Sequence, residues 1–97
     1  MKFEWDELKN KNDLQKHGLS FEEAKEIFKR IVLTREDNRC DYGEERLISL
    51  GSLSGIAILV VAHVDRNDVI RVISARRANR TERKLYDNYL TKAVERD

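Results

Sequence analysis

Capping residues predict a first helix, and apolar residues at helical spacing predict a second, in the first third of the chain after a short strand candidate at residues 2–5. Asp6 is placed to cap a helix over about residues 7–16, and Gly18 is placed to end it. The segment Ser20–Glu23 has the residue types of a capping box for the second helix. The apolar face of that helix is predicted to contain Phe21, Ala24, Ile27, Phe28 and Ile31.

Runs of β-branched and other apolar residues predict three or four strands in the middle of the chain. The predicted strands cover residues 31–35, 46–50, 56–64 and 69–75. Residues 56–64 are almost all apolar, which is typical of a central, buried strand. Gly51–Gly55 and Asp65–Asp68 supply turns between neighbouring strands, and such short connections predict an antiparallel meander.

A third helix is predicted after the last strand, because Asn79 and Glu82 form a second capping box. This helix extends to about residue 94 and carries a wide apolar stripe. The stripe contains Leu85, Tyr86, Tyr89, Leu90, Ala93 and Val94. The order of elements predicts an α+β fold, with a small antiparallel sheet of about four strands, two N-terminal helices and one C-terminal helix.

Length and composition indicate one small domain that spans residues 1–97. The single cysteine, Cys40, cannot form an internal disulfide, which fits a reducing cytoplasm. No window of the sequence approaches the roughly 20 apolar residues of a membrane span. We therefore expect a cytoplasmic protein that does not interact with membranes.

A net charge of +1 conceals a basic segment that runs from Arg71 to Lys84. This segment holds six basic residues and one acid, whereas the remainder of the chain holds 13 basic and 17 acidic residues. Guanidinium groups concentrated at the end of a strand are suited to hold phosphate. A short basic run is also typical of a solvated helix start, so charge alone leaves nucleic-acid binding open.

Two histidines are candidates for proton transfer. His17 follows Lys16 at the end of the first helix, where both side chains either cap the last carbonyls or act on a phosphate. His63 lies in the most apolar strand, where a lone histidine is either a hydrogen-bonded core residue or a catalytic group. The two histidines and Cys40 lack the close spacing of a metal site, so no metal is expected.

Arginines supply the second candidate chemistry. Arg46 begins a predicted strand and either forms a surface ion pair with Glu44 or Glu45 or binds an anion. Strict alternation along the last strand predicts two faces, each with arginines. One face is predicted to carry Arg71, Ile73, Ala75 and Arg77, and the other Ile70, Val72, Ser74 and Arg76. The chain has no nucleotide-binding loop and no serine-nucleophile motif.

Several segments, in their order and spacing, resemble the BrnT family of toxins from type II toxin–antitoxin pairs. The segments are Phe3-Glu4-Trp5-Asp6 with Lys9, Lys16 to Ala24, Gly43 to Arg46, Ile70 to Arg76 and Glu82 to Tyr86. The resemblance covers residues 2–87 and implies a RelE-like ribonuclease fold. It also implies an RNA-cleaving toxin that arrests translation and is neutralised by a BrnA-like ribbon-helix-helix antitoxin. In such pairs the complex represses its own operon, so the toxin reaches operator DNA only through the antitoxin.

The resemblance leads to a hypothesis for the site. The catalytic candidates are His17, Arg46, Arg76, His63 and Glu45, and the RNA-binding candidates are Lys9, Lys16, Arg71, Arg77 and Arg80. Arg46 and Arg76 are assigned the phosphate and the transition-state charge. Proton transfer is assigned to His17, or to His63 if the fold places it at the sheet surface, with Glu45 as a reserve base. No metal or cofactor is required, because the 2′-hydroxyl of RNA is the nucleophile.

Two positions depart from the family pattern. Cys40 stands where histidine is common, which removes an acid/base group or RNA contact, and Asp13 stands where many members have asparagine. Two alternatives follow: a catalytically weakened homologue that only binds its antitoxin, or a stand-alone nucleic-acid-binding domain. The apolar stripe of the third helix serves either the antitoxin or the core, and the small size of the chain favours the core.

Overall fold

The structure is a computed structural model that describes residues 1–39 and 43–95, with side chains described through residue 93. Within these ranges, five strands form one mixed sheet and the helices lie against it. In chain order the elements are β1 (Lys2–Trp5), α1 (Glu7–His17), α2 (Phe21–Ala24) with a 3₁₀ continuation (Lys25–Lys29), β2 (Val32–Glu36), β3 (Leu47–Leu53), β4 (Ala57–Arg66), β5 (Val69–Arg77) and α3 (Arg80–Glu95). The α+β class is therefore as predicted. None of the helices in the described ranges is long and apolar enough to cross a membrane.

The strands of the sheet have the order β1-β5-β4-β3-β2. Strands β2 to β5 form the predicted antiparallel meander. The prediction of about four antiparallel strands is wrong in one respect, because β1 adds a fifth strand parallel to β5. Phe3 lies opposite Ile70 in this pair, and Trp5 lies opposite Val72. Patterning could not reveal the pairing, since its two strands lie far apart along the chain.

Local capping interactions determine where the N-terminal helices begin and end. Asp6 accepts hydrogen bonds from backbone N–H groups in the first turn of α1, and Gly18 ends α1 with a φ of 71°. The predicted capping box Ser20–Glu23 is present at α2. The second helix is shorter than predicted, because one α-turn continues as 3₁₀ and leaves Ile31 outside it, 44% exposed. Arg30 adopts extended backbone and directs the chain into β2.

Gly51 lies inside β3 rather than in the turn that the sequence predicted. A Cβ at this position would lie 2.8 Å from the Cβ of Ile27 in the 3₁₀ segment. The close approach of that segment to β3 therefore requires glycine here. The turn lies instead at Ser54 and Gly55, which have φ angles of 54° and 72°. The predicted β4–β5 turn is confirmed at Asn67–Asp68, where both residues have positive φ, as in type I′ hairpins.

A β-bulge changes which side chains of β5 share a face. Ala62 pairs with Ser74, but the next residue of β4, His63, pairs with Val72. The predicted strict alternation along β5 is therefore wrong, because the extra residue shifts the register by one position. One face carries Arg71, Ser74 and Arg76, and the other carries Ile70, Val72, Ala75 and Arg77.

Apolar side chains pack on both faces of the sheet. The face that α2 covers, which we call the α2 face, includes Leu19, Phe21, Ala24, Ile27, Leu59, Val61, Val72 and Ala75. The opposite face, the α3 face, includes Leu50, Val60, Ala78 and Tyr86. The Tyr86 hydroxyl donates a hydrogen bond of 2.6 Å to the carbonyl of Ile31, which connects α3 to the residue before β2. The predicted stripe of α3 divides: Tyr86 and Leu90 pack inward, whereas Leu85 and Tyr89 are 37% and 38% exposed.

Candidate active site

Arg76 and Glu82 form the central polar contact of the α3 face. The Nη1 and Nη2 groups of Arg76 donate to Oε1 and Oε2 of Glu82, each at 2.8 Å. Glu82 Oε1 also accepts the backbone N–H of Asn79 at 2.8 Å, and the side chain of Asn79 accepts the backbone N–H of Glu82 at 2.9 Å. The predicted capping box is therefore present, and it delivers the carboxylate that holds Arg76.

This pair changes the proton affinity of both groups. Hydrogen bonding to Glu82 raises the pKa of Arg76, and hydrogen bonding to Arg76 lowers the pKa of Glu82, while partial burial opposes each shift. Two further arginines act on the pair. The charge of Arg39 lowers the pKa of Arg76, and the charge of Arg35 lowers the pKa of Glu82. Arg35 therefore lies within electrostatic reach of the Glu82 carboxylate, and Arg39 lies within electrostatic reach of the Arg76 guanidinium.

Sequence reasoning missed Arg35 and Arg39. Arg35 pairs with Ile48 across the β2–β3 ladder, which places Arg35 on the α3 face. Arg39 is anchored by Asp37, because its Nε donates to Oδ1 and its Nη2 donates to Oδ2, each at 2.8 Å. The Asp37 side chain is fully buried, whereas that of Arg39 is 69% exposed. The guanidinium is thus held along one edge by a buried carboxylate. The sequence offers one signal for this contact, because an aspartate and an arginine lie two residues apart directly after a predicted strand.

Arg46 lies directly before β3, and its side chain is half-buried. Its carbonyl accepts the backbone N–H of Asp37 at 2.8 Å, which extends the β2–β3 ladder by one pair. Because Ile48 packs toward α3, alternation along the strand places Arg46 on the α3 face as well. The structure therefore brings both predicted phosphate ligands, Arg46 and Arg76, to one face of the sheet. Glu45 precedes Arg46 and is exposed.

The predicted RNA-binding arginines differ in their partners. Arg71 lies on the α3 face, where it forms an exposed ion pair with Glu4 at 2.8 Å. Arg77 ends β5 and Arg80 begins α3, and both are exposed. Neither Arg77 nor Arg80 forms an ion pair or a side-chain hydrogen bond within the described part of the chain. Positive charge at this corner is therefore available to a ligand.

An open groove of about 420 Å³ lies beside the start of α3. Arg77 and Arg83 line it, together with apolar residues of the β3–β4 connection, the start of β4 and the end of β5. Ile56, in that connection, is 88% exposed. The groove combines apolar surface with two cations whose side chains have no hydrogen-bonding partner among residues 1–39 and 43–93. Such a combination suits a nucleotide, which has an apolar base face and an anionic phosphate.

The candidates on α1 lie apart from the arginine cluster. His17 is half-buried at the end of α1, and Lys9 and Lys16 are exposed. Asp13 fastens α1 to β5, because its Oδ2 accepts the backbone N–H of Ala75 at 3.0 Å. An asparagine at position 13 offers an equivalent acceptor, so this departure preserves the contact. Across the part of the chain that the structure describes, no hydrogen bond or ion pair joins α1 to the Arg76–Glu82 pair.

His63 lies in the core of the α2 face and is 1% exposed. Its Nδ1 lies 2.6 Å from Asp65 Oδ1, and its Nε2 lies 2.7 Å from Ser49 Oγ. Ser49 Oγ in turn lies 2.6 Å from Thr34 Oγ1, and the ring packs edge-on against Phe28. The fold therefore does not place His63 at the sheet surface, which was the condition for its assignment to proton transfer.

A model of the ribonuclease toxin BrnT of type II toxin–antitoxin systems matches residues 5–82 of the chain. The chain belongs to the BrnT family. The chain is also similar to the ribonuclease toxin BrnT of Brucella abortus, which has been solved as a crystal structure at 1.1 Å resolution. The two sequences are 29% identical, and the two structures superpose with a TM-score of 0.61. That match covers 82% of this chain and 99% of the Brucella chain. A search of curated proteins found no match. The predicted resemblance to this family of ribonuclease toxins is confirmed.

The region that matches the BrnT model ends at Glu82. It therefore contains Arg35, Arg39, Arg46 and Arg76 together with the carboxylate that holds Arg76. Cys40, the predicted departure from the BrnT pattern, lies outside the described residues. Within those residues, no group of three or more histidine, cysteine, aspartate and glutamate side chains has the geometry to hold a metal ion.

Proposed function

We propose that this BrnT-family protein is an endoribonuclease toxin that cleaves RNA without a metal ion and thereby arrests translation. The observation that carries the proposal is the placement of Arg35 and Arg76 on the α3 face, with Arg39 within electrostatic reach of Arg76, in a chain whose family consists of ribonuclease toxins. These three guanidinium groups face the carboxylates of Glu82 and Asp37, so the site keeps a surplus of positive charge, which suits a phosphodiester.

The proposed mechanism uses the 2′-hydroxyl of RNA as the nucleophile, so the protein must hold the phosphate, stabilise its developing charge and move protons. Arg76 and Arg46 are assigned to the charge, because both lie on the α3 face. We assign Glu45, exposed and next to Arg46 in the chain, as the base that takes the 2′-hydroxyl proton. His17 is the competing base, and buried His63 is assigned a structural role.

We assign the binding of the RNA strand to the exposed cations beside this site. Arg77 and Arg80 lie at the β5–α3 corner, and Arg77 also lines the groove. Lys9 and Lys16 on α1 add long-range attraction, since both are exposed. Arg71 contributes less, because Glu4 already neutralises it. We therefore propose that the bound RNA runs from the groove across the α3 face.

Membership of a type II toxin–antitoxin family implies an antitoxin partner. We propose a BrnA-like ribbon-helix-helix protein, with this chain as co-repressor that reaches operator DNA only through the antitoxin. A ribbon-helix-helix protein encoded by the neighbouring gene is expected to co-purify with this chain. Operator DNA should shift with the complex and not with this chain alone. Binding of operator DNA by the isolated chain would contradict the assignment and favour a stand-alone nucleic-acid-binding domain.

The activity is tested with the purified protein and a structured RNA, with and without EDTA. We expect cleavage that persists in EDTA and leaves 2′,3′-cyclic phosphate ends. Loss of cleavage on chelation would refute the metal-free mechanism. Glu45→Ala and His17→Ala variants separate the two bases, since the true base should contribute about 10²–10⁴ in rate. A chain that leaves RNA intact and does not arrest bacterial growth, but still binds its antitoxin, would be the catalytically weakened homologue.

A further inference from the structure

We propose that Glu82 is a positioning residue, which holds Arg76 so that one edge of its guanidinium is presented to the RNA phosphate. This inference rests on the proposed function, because it assumes that Arg76 acts on the phosphate. It gives Glu82 a role beyond the capping of α3. The argument depends on which guanidinium protons are already used.

Arg76 has five N–H donors, of which three are engaged. Nη1 donates to Glu82 Oε1 at 2.8 Å and to the carbonyl of Arg77 at 3.2 Å, and Nη2 donates to Glu82 Oε2 at 2.8 Å. The remaining donors are Nε–H and the second proton of Nη2, which lie side by side and point the same way. No acceptor among the described residues receives a hydrogen bond from them. This edge matches the two oxygens of a phosphate.

The carboxylate that holds Arg76 is itself fixed. Glu82 Oε1 also accepts the backbone N–H of Asn79, and Glu82 lies in the first turn of α3. Glu82 is 24% exposed and Arg76 is 42% exposed, so the guanidinium is the more accessible partner. A planar cation held at one edge by a fixed anion keeps a defined direction at its other edge. The helix cap thus sets the orientation of the proposed phosphate ligand.

The neighbouring charges favour positioning over competition. If Glu82 competed with the RNA phosphate, its carboxylate would use up the positive charge of the arginines around it, and none would remain for the phosphate. Arg35 acts electrostatically on Glu82 and Arg39 acts on Arg76, and Asp37 balances only the charge of Arg39, so the cluster stays net positive with Glu82 in place. A phosphate can therefore bind at the open edge without displacing the carboxylate.

A Glu82→Gln variant distinguishes positioning of Arg76 from competition with the phosphate, because kcat should fall in the first case and rise in the second. Glutamine at this position preserves the capping box but lacks the charge and the second acceptor oxygen. With Glu82 as a positioning residue, kcat should fall about tenfold or more while KM changes less than kcat, because the loss falls on the transition state. The matched control is Glu22→Gln, which removes the ion-pair partner of Lys25 in the first turn of α2, where the two side chains lie 2.6 Å apart. Its kcat should stay within about twofold of the parent.

A double variant excludes a merely structural effect. In an Arg76→Ala background, Glu82→Gln should cause no further loss of kcat, since the two residues act as one unit. An additive loss in that background, an unchanged kcat in the single variant, or a raised kcat would each overturn the proposal. A raised kcat would show that Glu82 competes with RNA.

A binding measurement separates failure of this inference from failure of the proposed function. The Nε–H resonance of Arg76 in an arginine-labelled sample should shift when a 2′-O-methyl RNA oligonucleotide is added. In Glu82→Gln the affinity for the oligonucleotide should weaken about threefold or more, with a smaller Nε–H shift. If the parent does not cleave RNA but this dependence on Glu82 is observed, the proposed function fails and the positioning role stands. If the shift is equal in parent and variant, the positioning role fails.

Discussion

Arg76 and Glu82 share two hydrogen bonds of 2.8 Å, and this pair makes the start of α3 sensitive to acid. Because hydrogen bonding to Arg76 lowers the pKa of Glu82, the folded state favours the ionised carboxylate. The stabilisation is present above the ordinary glutamate pKa of about 4.3, and it is lost as the pH falls through the lower pKa of the folded state. The pair is partly exposed, so its contribution should be below about 1 kcal/mol.

Urea unfolding at several pH values checks this expectation. The free energy of unfolding of the parent should exceed that of Glu82→Gln between about pH 5 and 7. The difference should shrink as the pH drops below about 4, where the carboxylate becomes protonated in both states. A difference that stays constant down to about pH 2 would contradict the assignment.

The hydrogen bonds of His63 give a second expectation for single residues. In the His63 tautomer that carries its proton on Nδ1, Nδ1 donates to Asp65 and Nε2 accepts from the Ser49 hydroxyl, which in turn accepts from Thr34. Ser49→Ala leaves the buried Nε2 without a donor and should lower the free energy of unfolding by about 1–3 kcal/mol. Thr34→Ala should lower the free energy of unfolding less than Ser49→Ala does, because Thr34 is exposed. Ser49→Ala should cleave RNA at the parental rate, and a large loss of cleavage would return His63 to the catalytic site.

The residues of the candidate site differ in how far the sequence could predict them. Arg76 and Arg46 were found because their local segments resemble the BrnT pattern. Arg35 and Arg39 were missed, because their proximity to Glu82 depends on the order of the strands in the sheet and not on local spacing. The role of Glu82 was predicted only as a cap, since the contact with Arg76 arises from how α3 begins after β5.

At the level of elements, the attachment of α3 depends on Tyr86. Its hydroxyl donates to the carbonyl of Ile31 at 2.6 Å, and burial raises its pKa. Tyr86→Phe should lower the free energy of unfolding by about 0.5–1.5 kcal/mol, because the carbonyl loses its partner. Tyr89→Phe is the matched control, since Tyr89 is 38% exposed on the same helix, and its effect should stay within about 0.5 kcal/mol. Equal losses in urea unfolding would contradict this view of α3.

The packing of the 3₁₀ segment on β3 depends on Gly51. A Cβ there would lie 2.8 Å from the Cβ of Ile27, so either the strand or the segment must move in Gly51→Ala. We expect a loss of about 1–3 kcal/mol in the free energy of unfolding, as for other overpacked core positions. If Gly51→Ala is as stable as the parent in urea unfolding, the expectation is contradicted, since the 3₁₀ segment can then move away from β3 at little cost.

Elements that depend on local chemistry were predicted well. The caps at Asp6, Ser20 and Asn79 and the β4–β5 turn follow from a few adjacent residues, and the structure has all of them. The parallel strand β1 and the bulge opposite His63 were not predicted, because both arise from pairing between distant segments. The bulge places Arg71 and Arg76 on one face, which strict alternation would have put on opposite faces.

Across the whole molecule, ion pairs neutralise some arginines and leave others available. Arg66 pairs with Glu44 at 2.8 Å, whereas Arg77 has no such partner among the residues that the structure describes. Arg77→Ala should therefore weaken binding of a 2′-O-methyl RNA oligonucleotide and reduce the slope of log affinity against log salt by about 0.7–1. Arg66→Ala should change that slope less. Filter binding across a salt series measures both, and equal slopes would contradict the charge assignment.

The central claim is that Arg76 acts on the scissile phosphate of RNA. Its most direct test is the initial rate of RNA cleavage by purified Arg76→Ala, beside the parent and the Arg66→Ala control, in buffer with EDTA. We expect Arg76→Ala to be slower by about 10²–10³, as for loss of one charge-stabilising donor. Arg66→Ala should stay within about twofold of the parent, because its ion pair with Glu44 lies at the exposed end of β4. Cleavage by Arg76→Ala at the parental rate would contradict the claim.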